Sequence, residues 1–88
     1  MKSENDLKIT GVVVSDVTYN PGRNNAKFQL VHYFAHGTEP LFLDCVLILG
    51  KQAEQVIPKW GDRVRIRAYL RMRLVKIEAV VKSITIIG

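Results

Sequence analysis

Apolar and polar positions alternate along much of this chain, most sharply between Arg63 and Arg73, which read RVRIRAYLRMR. Successive side chains of a β-strand point to opposite faces. A period of two therefore gathers Arg63, Arg65, Arg67, Arg71 and Arg73 on one face, with Tyr69 among them. Val64, Ile66, Ala68, Leu70 and Met72 take the other face. A helix would scatter the same residues around its circumference, so the pattern predicts a strand whose arginine side meets water or an anion.

The remaining segments read in the same way. Leu7–Tyr19, LKITGVVVSDVTY, is rich in β-branched residues and predicts one long strand with a bend or bulge at Gly11. It is apolar in both registers, with Leu7, Ile9, Val13 and Val17 on one face and Val12 and Val14 on the other. NPGRNNA, residues 20–26, is a loop with Arg23 near its tip. Lys27–Phe34 resumes the alternation, with Phe28, Leu30 and Phe34 inward and Gln29, Val31 and Tyr33 outward. After a second loop at 35–40, Leu41–Leu49 is a third strand. Its core register is Leu43, Cys45, Leu47 and Leu49, with Phe42 and Asp44 outward.

Gly50–Trp60 breaks the pattern. Gln52, Ala53, Glu54 and Gln55 tolerate a helix, and Pro58 with Gly61 closes it, so about two helical turns are expected. The last segment, Leu74–Ile87, is strand again, but Val75, Ile77, Ala79 and Val81 now take the inward parity. A two-residue hairpin loop at Arg73-Leu74 explains that slip; so does a bulge within one continuous strand. Three strands, a short helix and two strands describe an all-β fold. This is the layout of a five-stranded OB-fold Greek-key barrel with the helix between strands three and four. The 88 residues suit one domain, 7–88, after a flexible tail at 1–6.

Charge sharpens the picture. The formal net charge is +5, and residues 62–73 alone, five arginines against one aspartate, carry +4. Concentrated basicity of this kind points to a polyanionic partner. Cys45 is the single cysteine, which excludes a disulfide framework and paired metal-ligand spacing and suits a reduced, cytoplasmic setting. The N-terminus, MKSENDLK, lacks the apolar stretch of a signal peptide, and no run reaches the length of a membrane span. His32 and His36 have no carboxylate or cysteine partner at ligand spacing. No nucleophile–base pair, catalytic carboxylate pair or phosphate-cradling loop is present. The expectation is a binding protein, not an enzyme, with no metal and no cofactor.

Several stretches together resemble one family. YNPGRNNAKFQL (19–30) is similar to the first loop and second strand of bacterial single-stranded DNA-binding proteins, a Tyr-x-Pro-x-Gly loop followed by Phe-x-Leu. FLDCV and GKQAE (42–46 and 50–54) resemble that family's third strand and helix start. WGDRVRIRAYLRMR (60–73) resembles its Lys-Gly-x-x-Val-x-Ile-x-Gly-x-Leu-x-x-Arg strand. The resemblance runs in consistent order from Ile9 to Val81, and FQLVH (28–32) leans toward the short dimeric relative, primosomal replication protein N. This chain departs from the pattern at Ala68, where the family has glycine, and in one extra residue within LDCVLILG. It also has no long loop between strands four and five and no acidic tail beyond Ile87-Gly88. The resemblance implies the OB barrel, single-stranded DNA as ligand, and pairing of subunits through the first strand. It puts Arg71 and Arg73 on the family's arginine positions and Phe42 on its stacking aromatic.

Binding a single strand without sequence choice takes cations along the phosphates and flat rings under the bases. Arg65, Arg67, Arg71 and Arg73 supply the first, extended by Lys27 and Arg23 along the first loop. Tyr69, Phe42 and Tyr33 supply the second, while Trp60 is expected to pack the barrel end and Cys45 to fill the core. The expected function is sequence-independent single-stranded DNA binding in replication, repair or replication restart. A primosome-type adaptor working mainly through protein contacts, and an RNA-binding OB module, are the alternatives. Val12 and Val14 are the expected dimer interface, with a tetramer left open and replication proteins as further partners.

Overall fold

The computed structural model describes residues 6–33, 39–49 and 56–88. Its strands are β1 (Leu7–Val13), β2 (Thr18–Asn20), β3 (Asn25–His32), β4 (Leu41–Ile48), β5 (Arg63–Arg73) and β6 (Lys76–Ile86). They form one sheet in the order β1-β5-β6-β4-β3-β2. Further pairs, Val12 with Val31 and Val13 with Leu30, join β1 to β3 and close the sheet into a barrel. β4 and β6 run parallel; every other pairing is antiparallel. This is the strand order of the OB-fold anticipated from the sequence. The helix expected over Gly50–Trp60 falls mainly on Gly50–Gln55, outside the described residues, and Val56–Trp60 is not helical.

The inward register of each long strand fills one core. Leu30, Leu47, Val13 and Ile66 are fully buried there, with Phe28, Leu43, Cys45, Ala79 and Val81 around them. Ile9, Val17, Leu49, Leu70 and Ile84 pack against its edges. Gly11 sits where β1 crosses to β3. A Cβ there would collide with the Val31 carbonyl oxygen and lie 2.9 Å from Leu30 Cγ. The glycine permits close backbone approach at the seam of the barrel.

The long first strand is two strands. Between β1 and β2 the chain leaves the ladder at Val14–Val17, and a side chain takes over the backbone's role there. Val14 N donates to Gln29 O at 2.9 Å, and Gln29 N donates to Ser15 Oγ at 2.7 Å. Serine and aspartate offer the backbone such local alternatives to a ladder, and Ser15-Asp16 is where the break falls.

The slipped register of the last strand comes from a hairpin, and the chain turns back where one continuous bulged strand was the other account. Arg73 pairs with Lys76, so the hairpin loop is Leu74-Val75, one residue later than expected. Leu74 adopts φ 57° there, a conformation that ordinarily goes to glycine or asparagine. Further along, Arg67 faces Ser83 while Ala68 faces Val81, which leaves Lys82 as the extra residue of a bulge. β6 pairs with β4 only from Glu78 onward, so the hairpin stands clear of the ladder. Val75 and Ile77, expected inward, are therefore exposed, whereas Ala79 and Val81 are in the core as anticipated. Val31, expected outward, is buried, and so, further along the sheet, are the outward-register pair Val46 and Val80.

Candidate nucleic-acid interface

β5 alternates as its sequence demands. Val64, Ile66 and Ala68 are buried, Arg63, Arg65, Arg67 and Arg71 are exposed, and Tyr69 and Arg73 are half-buried. The arginine row does not have one surrounding, however. Arg63, Arg65 and Arg67 lie beside Val12, Thr10 and Lys8 of β1. Tyr69, Arg71 and Arg73 lie beside Val80, Glu78 and Lys76 of β6. The Lys82 bulge marks the division.

Two of the expected phosphate ligands already hold carboxylates. Arg67 donates to both oxygens of Asp6, with Nη2 3.1 Å from Oδ2 and Nε 3.3 Å from each oxygen. That hydrogen bond and the charge behind it hold the Asp6 carboxyl below its usual range and raise Arg67. A lowered carboxylate pKa stabilises the docked state above the ordinary value of 3.8, and the contribution fades only as pH falls through the depressed value. Asp6, assigned to the flexible tail by sequence, is thus tied to β5. Arg71 Nε donates to Glu78 Oε1 at 2.6 Å, and Glu78 is almost wholly buried. Arg65, Arg73, Lys27 and Arg23 make no ion pair with the described residues.

A groove of about 650 Å³ crosses the outer face of β3, β4 and β6. One wall is the Ser15–Thr18 link, and the other is the hairpin tip from Arg73 to Lys76. Lys27, Arg73 and Lys76 supply its cations, and Asp16, Asp44 and Glu78 its carboxylates. The sequence reading placed Lys27 and Arg73 here but missed Lys76 and, nearby, Lys82. Lys82 Nζ lies 5.5 Å from the centroid of the Tyr69 ring, within cation–π range. Both lysines join the arginine face only through the hairpin and its bulge, so alternation within one strand gave no sign of them.

The other expected residues spread more widely. Arg23 is exposed in the turn after β2. Tyr33 and Phe42 are exposed, and Phe42 borders a second, apolar hollow with Leu7, Ile9, Leu41 and Leu70. Neither ring lines the groove, and nor does Tyr69. Val12 and Val14 are half-buried on the outside of the barrel. Trp60, expected to pack the barrel end, is 63% exposed beside a tight turn in which Asp62 Oδ2 accepts from Lys59 N at 2.8 Å. His32 Nδ1 lies 2.7 Å from Thr10 O, whereas Phe34 and His36 are outside the described residues. Cys45 is buried, and burial, with Asp44 adding to it, pushes its thiol up to about 12. It stays protonated and unreactive. Among the described residues no group of three or more His, Cys, Asp or Glu is placed to hold a metal, and no helix is long and apolar enough to cross a membrane.

A closed barrel with one parallel strand pair and a groove between its first-loop side and its last hairpin defines an OB-fold protein. No protein-family model and no curated protein matches the sequence; the likeness is to solved structures, over nearly the whole chain. A dimeric structure of the N-terminal domain of PriB protein from Thermoanaerobacter tencongensis superposes with a TM-score of 0.78 at 19% identity, covering 98% of this chain and 99% of that one. The second single-stranded DNA-binding protein of Mycobacterium smegmatis, SSBb, gives a TM-score of 0.78 at 15% identity, over 96% and 89% of the two chains. The small single-stranded DNA-binding protein of Streptomyces coelicolor gives 0.75 at 14% identity, over 98% and 94%.

Proposed function

We propose that this protein binds single-stranded DNA with little regard to sequence and acts in DNA replication, repair or replication restart in the cytoplasm. The carrying observation is the groove, where Lys27, Arg73 and Lys76 stand, with Asp16, Asp44 and Glu78 between them, on the face that OB-folds use for oligonucleotides. The fold neighbours, two of them single-stranded DNA-binding proteins, support the same ligand. Phosphates meet the rim cations, and a base stacks on Tyr69, which lies beside Val80 on the same outer face. Competition of a fluorescent oligo(dT) by unlabelled oligo(dT), poly(U) and duplex DNA tests this. Oligo(dT) is expected to compete best and duplex worst. Equal competition by duplex would defeat the proposal.

Tyr69 provides a sharper check. Tyr69→Ala is expected to weaken binding by about 1–3 kcal/mol, the worth of one base stack. Tyr69→Phe should bind almost as the unmodified protein does, because the ring supplies the contact. Equal losses in both variants would point to the hydroxyl instead.

The same reading includes a homodimer. β1 sends Ile9 and Val13 to the core, while Lys8, Thr10 and Val12 take its outer face. Val12 and Val14 remain half-buried outside it, the PriB domain of the same fold is dimeric, and pairing there would put two grooves on one particle. A long oligonucleotide could then engage both at high effective concentration. Val12→Glu with Val14→Lys should give a folded monomer in sedimentation that binds short oligomers normally and long ones poorly. An unmodified protein that sediments as a monomer at micromolar concentration would contradict it.

A further inference from the structure

One anion is already bound on the basic face. Asp6 immediately precedes Leu7, whose pairing with Ala68 carries that segment alongside β5. Its carboxylate accepts from Nε and Nη2 of Arg67 and lies 4.0 Å from Lys82 Nζ. Lys8, opposite Arg67 in the ladder, adds a third positive charge. Lys82 in turn stands 5.5 Å from the centroid of the half-buried Tyr69 ring. Cations that close on one anion beside a flat ring are what one nucleotide of a single strand requires, with its phosphate on the cations and its base on the ring.

The fork of an arginine takes carboxylate and phosphate in the same way, so the Asp6 oxygens fit the place of two phosphate oxygens. The contact is open to solvent, the side chains of Asp6, Arg67 and Lys82 being 40%, 54% and 49% exposed. An ion pair so exposed is weak, and a strand that brings its own phosphate can exchange with it. We propose that Asp6 is an internal phosphate mimic. It occupies a subsite, Arg67 with Lys82 beside Tyr69, that takes one phosphate of a bound single strand, and the strand must displace it. The protein thereby holds back its own affinity. The proposal deepens the single-strand reading and rests on it.

Asp6→Asn keeps the shape of the side chain and removes its charge. In anisotropy titrations of oligo(dT) at fixed low salt, this variant should bind about two- to fivefold more tightly than the unmodified protein, the worth of one exposed ion pair. Glu39→Gln removes an equal charge from an exposed position outside the groove and this subsite, and should change affinity much less. With Arg67→Ala and Lys82→Ala both in place nothing remains to be unmasked, so adding Asp6→Asn should do no more than Glu39→Gln does. In the unmodified protein the Asp6 carboxyl carbon resonance should move on saturation with oligo(dT), as the carboxylate exchanges a guanidinium for water. Tightening no greater than that of Glu39→Gln, a gain that persists without Arg67 and Lys82, or an unmoved Asp6 resonance would overturn the role of Asp6 and leave the single-strand reading standing. Binding of oligo(dT) by neither the unmodified protein nor Asp6→Asn would overturn both.

Discussion

Gly11→Ala should unfold at a markedly lower temperature than the unmodified protein, even though it adds only one methyl group. The new Cβ meets the Val31 carbonyl oxygen and Leu30 Cγ where β1 joins β3. A carbonyl held in a ladder cannot step aside like the end of a flexible side chain, so the seam itself must shift. Overpacking of this kind costs about 1–3 kcal/mol. In a domain of this size each kcal/mol lowers Tm by roughly 4–8 °C. Gly22→Ala is the control, because its Cβ would come no nearer than 3.5 Å to anything, the nearest atom being Asn20 Oδ1. Calorimetry showing equal Tm values for the two variants would remove the seam from this account.

DNA affinity should fall steeply with salt, and the arginines that hold carboxylates should contribute differently from those that do not. Each neutralised phosphate contributes a slope of about −0.7 in log K against log salt, so three to five contacts give roughly −2 to −3.5. Arg73→Ala and Lys76→Ala should each flatten the slope by about one contact, because both residues line the groove and hold no carboxylate among the described residues. Arg71→Ala should behave differently. It strips the partner from a buried Glu78, and an abandoned buried acceptor costs about 1–3 kcal/mol of stability. The measurements are salt titrations of oligo(dT) binding alongside urea unfolding. A stable Arg71→Ala protein that loses the salt slope would return Arg71 to the phosphate track.

How far the sequence reached depends on the range of each interaction. β5 was legible to its terminal residues, because alternation of arginine with small and branched apolar residues is a local pattern and the strand follows it. The core register of β3 and β4 was legible for the same reason. The partners of Arg67 and Arg71 were not. Asp6 is remote in sequence and meets Arg67 only because β1 pairs with β5. Glu78 reaches Arg71 only once the hairpin loop is placed at Leu74-Val75. The groove was beyond reach altogether, since it arises from barrel curvature that carries Ser15–Thr18 round to face the hairpin. A resemblance in strand order does not report which charges are already spent on one another. The break at Val14–Val17 was missed because its residues suit a strand, and a single serine hydroxyl tips the balance.

Barrel closure also sets the tempo of folding. Leu7 rests against Ala68 and Asp44 against Glu78, so the first pairing waits for β5 and the second for β6 to leave the ribosome. Before then the long ladder available among the described strands is β3 with β4, whose apolar side has no opposite wall. Lengthening a loop adds little to the free-energy cost of closing it, about 0.6 kcal/mol per doubling. The penalty falls on rate, and sheets built from such distant pairings take milliseconds to seconds to form. A nascent chain therefore shows its bare β3–β4 face to the cell until β6 arrives to cover the edge of β4, and chaperone dependence would be concentrated in that interval.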